Sequence, residues 1–522
     1  MRIGVDVGGT NTDAVLLDGD DVVAATKTPT TEDVTTGIVE AVRGVLDGCG
    51  VDPDTVDAVM IGTTHFTNAV VQRRDLAPVA AVRLALPAGA SLPPMVDWPV
   101  ELRTASGARA YVLHGGIEFD GSPIAAIDPS EVASVAEDLV ARGIRNVAVT
   151  SVFSPVDPTL ETQVGAMLTA HNPNLDVTFS HEIGRLGLLE RENAAILNAS
   201  LRPLAARTIE GFRRAIRRLG LSASVYLTQN DGTLMQAEFG RRYPVLTFSS
   251  GPTNSMRGAA YLSGIEDAIV VDIGGTTTDV GALAHGFPRE ASLAVDIGGV
   301  RTNFRMPDVI SVGLGGGSVV RPGPDGPVIG PDSVGFRIIE EARVFGGPTL
   351  TTTDVVVAAG LADIGDGSRV QGLPHDLVQA TLDRMRETID ETIDRMKLSA
   401  DPVTVVVVGG GRILAQGPLP SAGRVVVPPH HEVANAIGAA IAQVSGEVDR
   451  VVSLGDRDRA GALDEARRAA TARAIAAGAD PDTIRVVDVE DIPLTYLPGN
   501  AVRVRVKVVG ELAAGAHDVA DH

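Results

Sequence analysis

Hydrophobic residues recur along this chain with two periods, and the switch between them marks out its elements. Short apolar runs at 3–7 and 269–273 each reach a Gly pair and resume after an Asp, which predicts two β-hairpins. Behind the first, Val34, Ile38, Val42 and Val45 recur at helical spacing, with Thr30 and Thr31 placed to cap an amphipathic helix. A strand at 58–61, a helix over 131–142 and a strand at 147–153 continue the alternation of an α/β domain, and Pro155 and Pro158 mark a turn. Residues 182–219 keep a helical pattern whose Arg-rich faces read as solvated surface and linker contact. Gly and Pro crowd 313–331, which predicts a loop; helices resume at Val334 and over 377–397. Residues 403–408 are a buried strand ending in Gly409, Gly410 and Gly411. An Ala/Arg/Asp-rich helix near 460–477 then leads to two strands, 485–489 and 502–509, joined through Pro498-Gly499 as a small αββ unit.

The two hairpins are near copies: 6–17 read DVGGTNTDAVLL and 272–283 read DIGGTTTDVGAL. Their spacing is close to half of 522 residues, so the repeated unit is a domain used twice, not a short solenoid repeat. A chain of this length also exceeds a single hydrophobic core. The expected division is an N-terminal half over 1–180, a second half over 181–445 and the small α+β unit over 446–522. A third look-alike, Asp296-Ile297-Gly298-Gly299, runs into Val300 and Arg301 without the Thr-x-Thr-Asp return, and reads as a plain turn.

Composition refines this by exclusion. A net charge of −22 disfavours nucleic acid and anionic membrane surfaces, so an anionic ligand has to be held by backbone amides and Mg²⁺. Cys49 is the only cysteine, which rules out an internal disulfide or a multi-thiolate metal site and fits a reducing compartment. No run is long and apolar enough to span a membrane, and Asp6 interrupts the apolar N-terminus where a secretory signal needs an uncharged core. The expected location is cytoplasmic.

The chemistry concentrates on the hairpin tips. Gly8, Gly9, Thr10 and Asn11, and again Gly274, Gly275, Thr276 and Thr277, bring amides and hydroxyls to a turn where no bulky side chain blocks phosphate oxygens. Asp6 and Asp272, at the strand ends, face the same point and suit hydrated Mg²⁺. One such hairpin is an ordinary turn; two of them are able to grip successive phosphates of one nucleotide. Gly409, Gly410 and Gly411, following a strand, then suit contact with the nucleoside. The segment 62–68 contains Thr63, Thr64 and Asn68, which read either as helix caps or as substrate contacts. Gly315, Gly316 and Gly317 read either as a loop closing over substrate or phosphate or as a flexible loop. His114, near Glu118 and Asp120, reads as a surface pair in preference to a metal ligand, and His430 and His431 as loop residues. The chain has no Gly-x-Ser-x-Gly elbow, His-Glu-x-x-His or Walker-type string.

Together the paired hairpins, the string 62–69 (GTTHFTNA), Ser250-Gly251-Pro252, the Gly-rich 312–318 and 408–411 resemble the hydantoinase A/5-oxoprolinase family over residues 1 to about 440. The resemblance implies an α/β fold of duplicated actin-like, sugar-kinase-like ATPase domains with a nucleotide cleft between them, in a short form lacking the long C-terminal region. It implies ATP and Mg²⁺ as cofactors and an ATP-dependent hydrolase subunit that opens a cyclic amide such as a hydantoin, 5-oxoproline or another lactam. Asp6 and Asp272 would manage Mg²⁺ through water and orient the reaction, and Asp13 and Asp279 would brace the hairpins. A second, hydantoinase B-like or other subunit is an implied partner; homo-oligomers stay open. The chain departs from long members in carrying Ile310-Ser311 where they place a His before the Gly-rich loop. Competing readings are a small-molecule kinase or ketone carboxylase subunit of the same fold, and a non-catalytic nucleotide switch.

Overall fold

The computed structural model describes residues 1–30, 34–291, 294–324, 326–454, 458–495 and 501–513. Thr31 and the Pro498-Gly499 turn lie outside the described residues. Two sheets carry the duplication. In the first, nine strands run in the order Arg485–Pro493, Ala501–Gly510, Gln443–Ser453, Thr233–Gln236, Ser224–Thr228, Ala58–Thr63, Arg2–Val7, Asn11–Asp18 and Asp21–Pro29. In the second, the order is Phe287–Pro288, Thr278–Ala284, Ala268–Ile273, Val403–Val408 and Ala422–Val426, with Val309–Val312 also pairing to Thr278–Ala284. Each has the same centre: a hairpin whose first strand pairs in parallel with a later strand, Arg2–Val7 with Ala58–Thr63 and Ala268–Ile273 with Val403–Val408.

These central strands are apolar on both faces because both are covered. Ile269, Val271, Val405 and Val407 pack under Met385, Ile389, Ile393 and Met396 of the helix His375–Met396. Val270, Val406 and Val408 face Met256 and Ala259 on the opposite side. A separate four-stranded parallel sheet, Arg109–His114, Val79–Leu86, Asn146–Ser151 and Asp176–Phe179, lies within the N-terminal region.

Sheet membership crosses the boundaries expected at 180 and 445. Strands Ser224–Thr228 and Thr233–Gln236 lengthen the first sheet, and the C-terminal strands extend it further. The expected αββ elements are present, with the helix Arg459–Ala476 laying Ala462, Ala466, Ala470 and Ala474 on Val504, Val506 and Val508. They are hydrogen-bonded onto that sheet through Gln443–Ser453 and do not stand apart.

Two other expectations change. The helix over 182–219 is Leu188–Arg218, but its first turns are core: Arg191 and Glu192 are buried, with Glu192 paired to Arg83 and Arg191 held by Ser180 Oγ and the Ser151 carbonyl. Only the later arginines, such as Arg214 and Arg217, are solvated. Full pairing makes such burial tolerable. The stretch over 313–331 contains a hairpin, Ser318–Gly323 with Gly326–Ser333. The Thr30 hydroxyl donates to the Gly8 carbonyl at 2.8 Å and its amide to the Thr10 carbonyl at 2.9 Å, fastening the first hairpin tip.

Two helices join the halves, Ser250–Ser263 and Ala434–Ala440. They cross at glycine. A Cβ on Gly258 would fall 1.9 Å from the Ala434 carbonyl oxygen, and one on Gly438 would fall 1.8 Å from that of Asn254. Backbones this close leave no room for a methyl group. Gly258→Ala and Gly438→Ala are each expected to lower unfolding free energy by about 1–3 kcal/mol in chemical denaturation. Gly461→Ala, where a Cβ meets nothing within 4 Å, is expected to hold or raise stability.

Candidate functional site

Equivalent registers put equivalent residues at the two turns. Asp6 pairs across its hairpin with Asp13, and Asp272 with Asp279. Each turn closes with one bond, from the Gly8 amide to the Asn11 carbonyl at 3.0 Å and from the Gly274 amide to the Thr277 carbonyl at 2.9 Å. The tips meet. A Cβ on Gly275 would lie 2.5 Å from Thr10 Oγ1, and one on Gly9 would lie 3.8 Å from Thr276 Oγ1. Among the described residues nothing accepts from the amides of Gly9, Thr10, Gly275 or Thr276, and the buried Thr10 hydroxyl has no partner.

The crossing helices supply the groups behind the tips. Asn254 Nδ2 donates to Asp6 Oδ1 at 3.1 Å and Asn435 Nδ2 donates to Asp6 Oδ2 at 3.1 Å and to Asp13 Oδ2 at 3.0 Å. Ser255 Oγ donates to Asp272, and Ser311 Oγ to Asp279. Lys27, opposite Asp13 in the sheet, places its ammonium 2.7 Å from Asp13 Oδ1.

Burial raises the proton affinity of the four carboxyl groups behind the tips, and nearby carboxylates add to it. Burial, with Asp13 and Asp272 nearby, pushes Asp6 up to about 6 against the two amide bonds that stabilise its anion. Burial, with Asp272 close, pushes Asp279 up to about 7. Burial also raises Asp13 and Asp272, with Lys27 opposing it in both. A site in this condition gains from an added cation.

Gly409 and Gly62 are counterparts. A Cβ on Gly409, whose φ is +89°, would fall 2.3 Å from Asp272 Oδ1; one on Gly62 would fall 2.4 Å from Asp6 Oδ1. Gly411 donates to the Ile273 carbonyl at 2.7 Å, so the 409–411 turn lies directly over the second hairpin. Thr63 and Thr64 border Asp6 at the start of the helix His65–Gln72. Thr63 Oγ1 accepts from the His65 amide at 3.1 Å, and Thr64 Oγ1 accepts from Asn68 Nδ2 at 3.3 Å, both local bonds of the helix start.

Gly315, Gly316 and Gly317 pack against the second tip. Their amides donate to Ser318 Oγ, the Gly274 carbonyl and the Gly275 carbonyl at 2.8, 3.0 and 2.7 Å. With those amides engaged, the string buttresses the turn. The 296–299 look-alike is a turn packed against Val70 and Pro99, as expected. His114 pairs with Glu131, not with Glu118 or Asp120, and His431 opens a short helical turn, His431–Val433, whose carbonyl receives the Gly409 amide.

The donors present suit a polyphosphate: unpartnered turn amides and an orphaned hydroxyl gather at the contact of two glycine turns. The site fits Mg²⁺ less directly. Among the described residues no three His, Cys, Asp or Glu side chains group to hold a metal. Asp6 and Asp272 therefore suit an ion that keeps its waters and takes phosphate oxygens.

The sequence matches the hydantoinase/oxoprolinase N-terminal region over residues 2–171 and the hydantoinase/oxoprolinase family over residues 191–366. The chain belongs to the hydantoinase/oxoprolinase family. Its relatives include the caprolactamase alpha subunit of Pseudomonas jessenii, 27% identical over 75% of this chain and 59% of that protein. Another is the acetophenone carboxylase gamma subunit of Aromatoleum aromaticum, 27% identical over 68% of this chain and 53% of its own length. The chain thus matches less than two thirds of either relative. The fold matches solved structures of the ATP-dependent caprolactamase from Pseudomonas jessenii, with TM-score 0.77 and 19% identity, and of nucleotide-free acetone carboxylase, with TM-score 0.72 and 18% identity. Each match covers 99% of this chain and 88% of the other. This hydantoinase-family chain therefore has the duplicated ATPase architecture.

Lys27, Asn254, Ser255 and Asn435 escape a reading of this family member by motif alone. A signal for two of them exists: Asn254 precedes Gly258-Ala259-Ala260, and Asn435 precedes Gly438-Ala439-Ala440, a shorter second repeat. Lys27 becomes visible only through sheet register.

A carboxyl raised on folding binds protons that the unfolded chain has released, so its contribution to stability falls as pH rises from about 4 through about 7 and then levels. Asp279→Asn is expected to remove this slope. The variant should gain on the parent by on the order of 3 kcal/mol between pH 4 and pH 8, measured by denaturant titration.

Proposed function

We propose that this chain is the ATP-using subunit of a hydrolase that opens a cyclic amide such as a hydantoin, 5-oxoproline or a related lactam. The observation that carries this is the contact between two glycine turns with free amides, backed by Asp6 and Asp272. ATP supplies a phosphoryl group for the otherwise unreactive amide oxygen, after which water opens the ring and phosphate leaves. The chain's own part is positioning and charge. The free amides of Gly9, Thr10, Gly275 and Thr276 hold phosphates, on turns closed by Gly8 with Asn11 and by Gly274 with Thr277; Gly409, Gly410 and Gly411 border the nucleoside. Asp6 and Asp272 orient hydrated Mg²⁺, with their carboxylates aligned by Asn254, Asn435 and Ser255. Thr63 and Thr64, near Asp6, and Asn68, bonded to Thr64, border the substrate.

A second reading is an ATP-dependent carboxylase subunit acting on a ketone through a phosphorylated enolate. Equal identity to a caprolactamase subunit and an acetophenone carboxylase subunit favours keeping both. Those relatives are named as subunits, which supports a second chain as partner here. Among the described residues no helix is long and apolar enough to cross a membrane, and the proposed location is cytoplasmic.

A phosphate-release screen separates the readings. Hydantoins, 5-oxoproline and lactams should stimulate ATP turnover with water alone, whereas ketones should require bicarbonate; both arms are run with and without the product of the neighbouring reading frame. Asp272→Ala is expected to lower turnover more than about 100-fold with an unchanged circular dichroism spectrum. Parent-like turnover in that variant would remove Asp272 from the mechanism.

A further inference from the structure

Lys27 is the one cation among the groups acting most strongly on the four cleft carboxyls, and its setting is unusual for a simple brace. It projects from Asp21–Pro29, the edge strand of the first sheet, yet reaches the second half. Its Nζ stands 3.9 Å from the point to which a Cβ on Gly410 would project. Among the described residues the Gly410 amide has no acceptor, although its neighbours Gly409 and Gly411 are both bonded. Asp13, the present partner of Lys27, is 3% exposed, while the Lys27 side chain keeps 33% of its surface exposed. Asp13 would also keep a donor if the ammonium left, because Asn435 Nδ2 holds Asp13 Oδ2 at 3.0 Å.

We propose that Lys27 is a phosphate ligand, held in readiness on Asp13, that transfers its ammonium to the nucleotide polyphosphate when the cleft is filled. This rests on the reading of the cleft as a nucleotide site. A lysine here offers three rotatable donors on a flexible stem, able to follow a phosphate while the halves close. Its departure leaves Asp13 bonded through Asn435, so the exchange does not abandon a buried anion. The contact is charge-assisted and deals only with the phosphate end of the ligand.

Equilibrium binding of adenosine, ADP and ATP to the full chain tests it, using Lys27→Met, Lys27→Arg and Asp13→Asn. Lys27→Met is expected to bind ATP and ADP about 10- to 100-fold more weakly and adenosine as the parent does, and Lys27→Arg to recover part of the loss. Asp13→Asn breaks the same ion pair from the other side but leaves the ammonium free, and it should retain ATP affinity or gain. A brace would make Lys27→Met and Asp13→Asn fail alike, and that result overturns the proposal. So does ATP affinity in Lys27→Met within threefold of the parent. Should Lys27→Met not fold, the comparison of Asp13→Asn with Lys27→Arg still decides between ligand and brace. A parent chain with no affinity for any adenine nucleotide would instead overturn the nucleotide reading itself.

Discussion

The crossing of two helices at glycine is the constraint on which the site depends. Gly258 against Ala434 and Gly438 against Asn254 let the backbones approach until each carbonyl occupies the space of a missing methyl group. At that distance Asn254, Ser255 and Asn435 are delivered behind both hairpins at once, and one pair of helices sets the alignment of Asp6 and Asp272. Gly4 belongs to the same arrangement, since a Cβ there would meet the Ala436 carbonyl at 2.1 Å. Small residues thus do in the interior what large apolar residues do elsewhere, by bringing polar groups of different elements within hydrogen-bonding range.

The electrostatics of the cleft follow from that closeness. Asp6, Asp13, Asp272 and Asp279 are drawn together out of water, so each carboxylate is less favourable as an anion than it would be alone. A chain of net charge −22 has no basic field with which to hold a polyphosphate. On the proposed nucleotide reading the attraction is local, from turn amides, the Thr10 hydroxyl, the Lys27 ammonium and a divalent cation. The carboxyls that suit a metal are the same groups that repel bare phosphate, which makes the metal–nucleotide pair a better fit than either component.

Away from the cleft, charge is used for assembly of the fold. Arg505 and Lys507, on a C-terminal strand, are paired to Glu290, Glu447 and Asp231, and Arg305 joins them from the second half. The other face of the same strand carries Val504, Val506 and Val508 into the alanine stripe of the helix Arg459–Ala476. One strand therefore ties the C-terminal segment to its own helix by apolar contact and to the second half by ion pairs. Removing one partner from such a buried group leaves an uncompensated charge, which costs more than the pair contributes.

Much was legible in the sequence because it was local. A short apolar strand, a Gly pair and a Thr-x-Thr-Asp return make a hairpin from neighbouring residues, and two copies half a chain apart imply two like sheets. The alternation of Val502–Val509 as a strand and the alanine-rich helix before it were readable for the same reason. What those elements joined was not, because β pairing is a relation between distant residues that single-strand periodicity leaves open. The C-terminal strands could have formed a unit of their own; only the packed chain placed them on the first sheet. Burial of Arg191 and Glu192 likewise depended on Arg83 and Ser180 from other elements, and Lys27 met Asp13 only once the register of their two strands was set. Sequence alone determined the turns and their duplication; the tertiary structure decided that the two turns touch, since contact across a cleft depends on how helices remote from either turn pack.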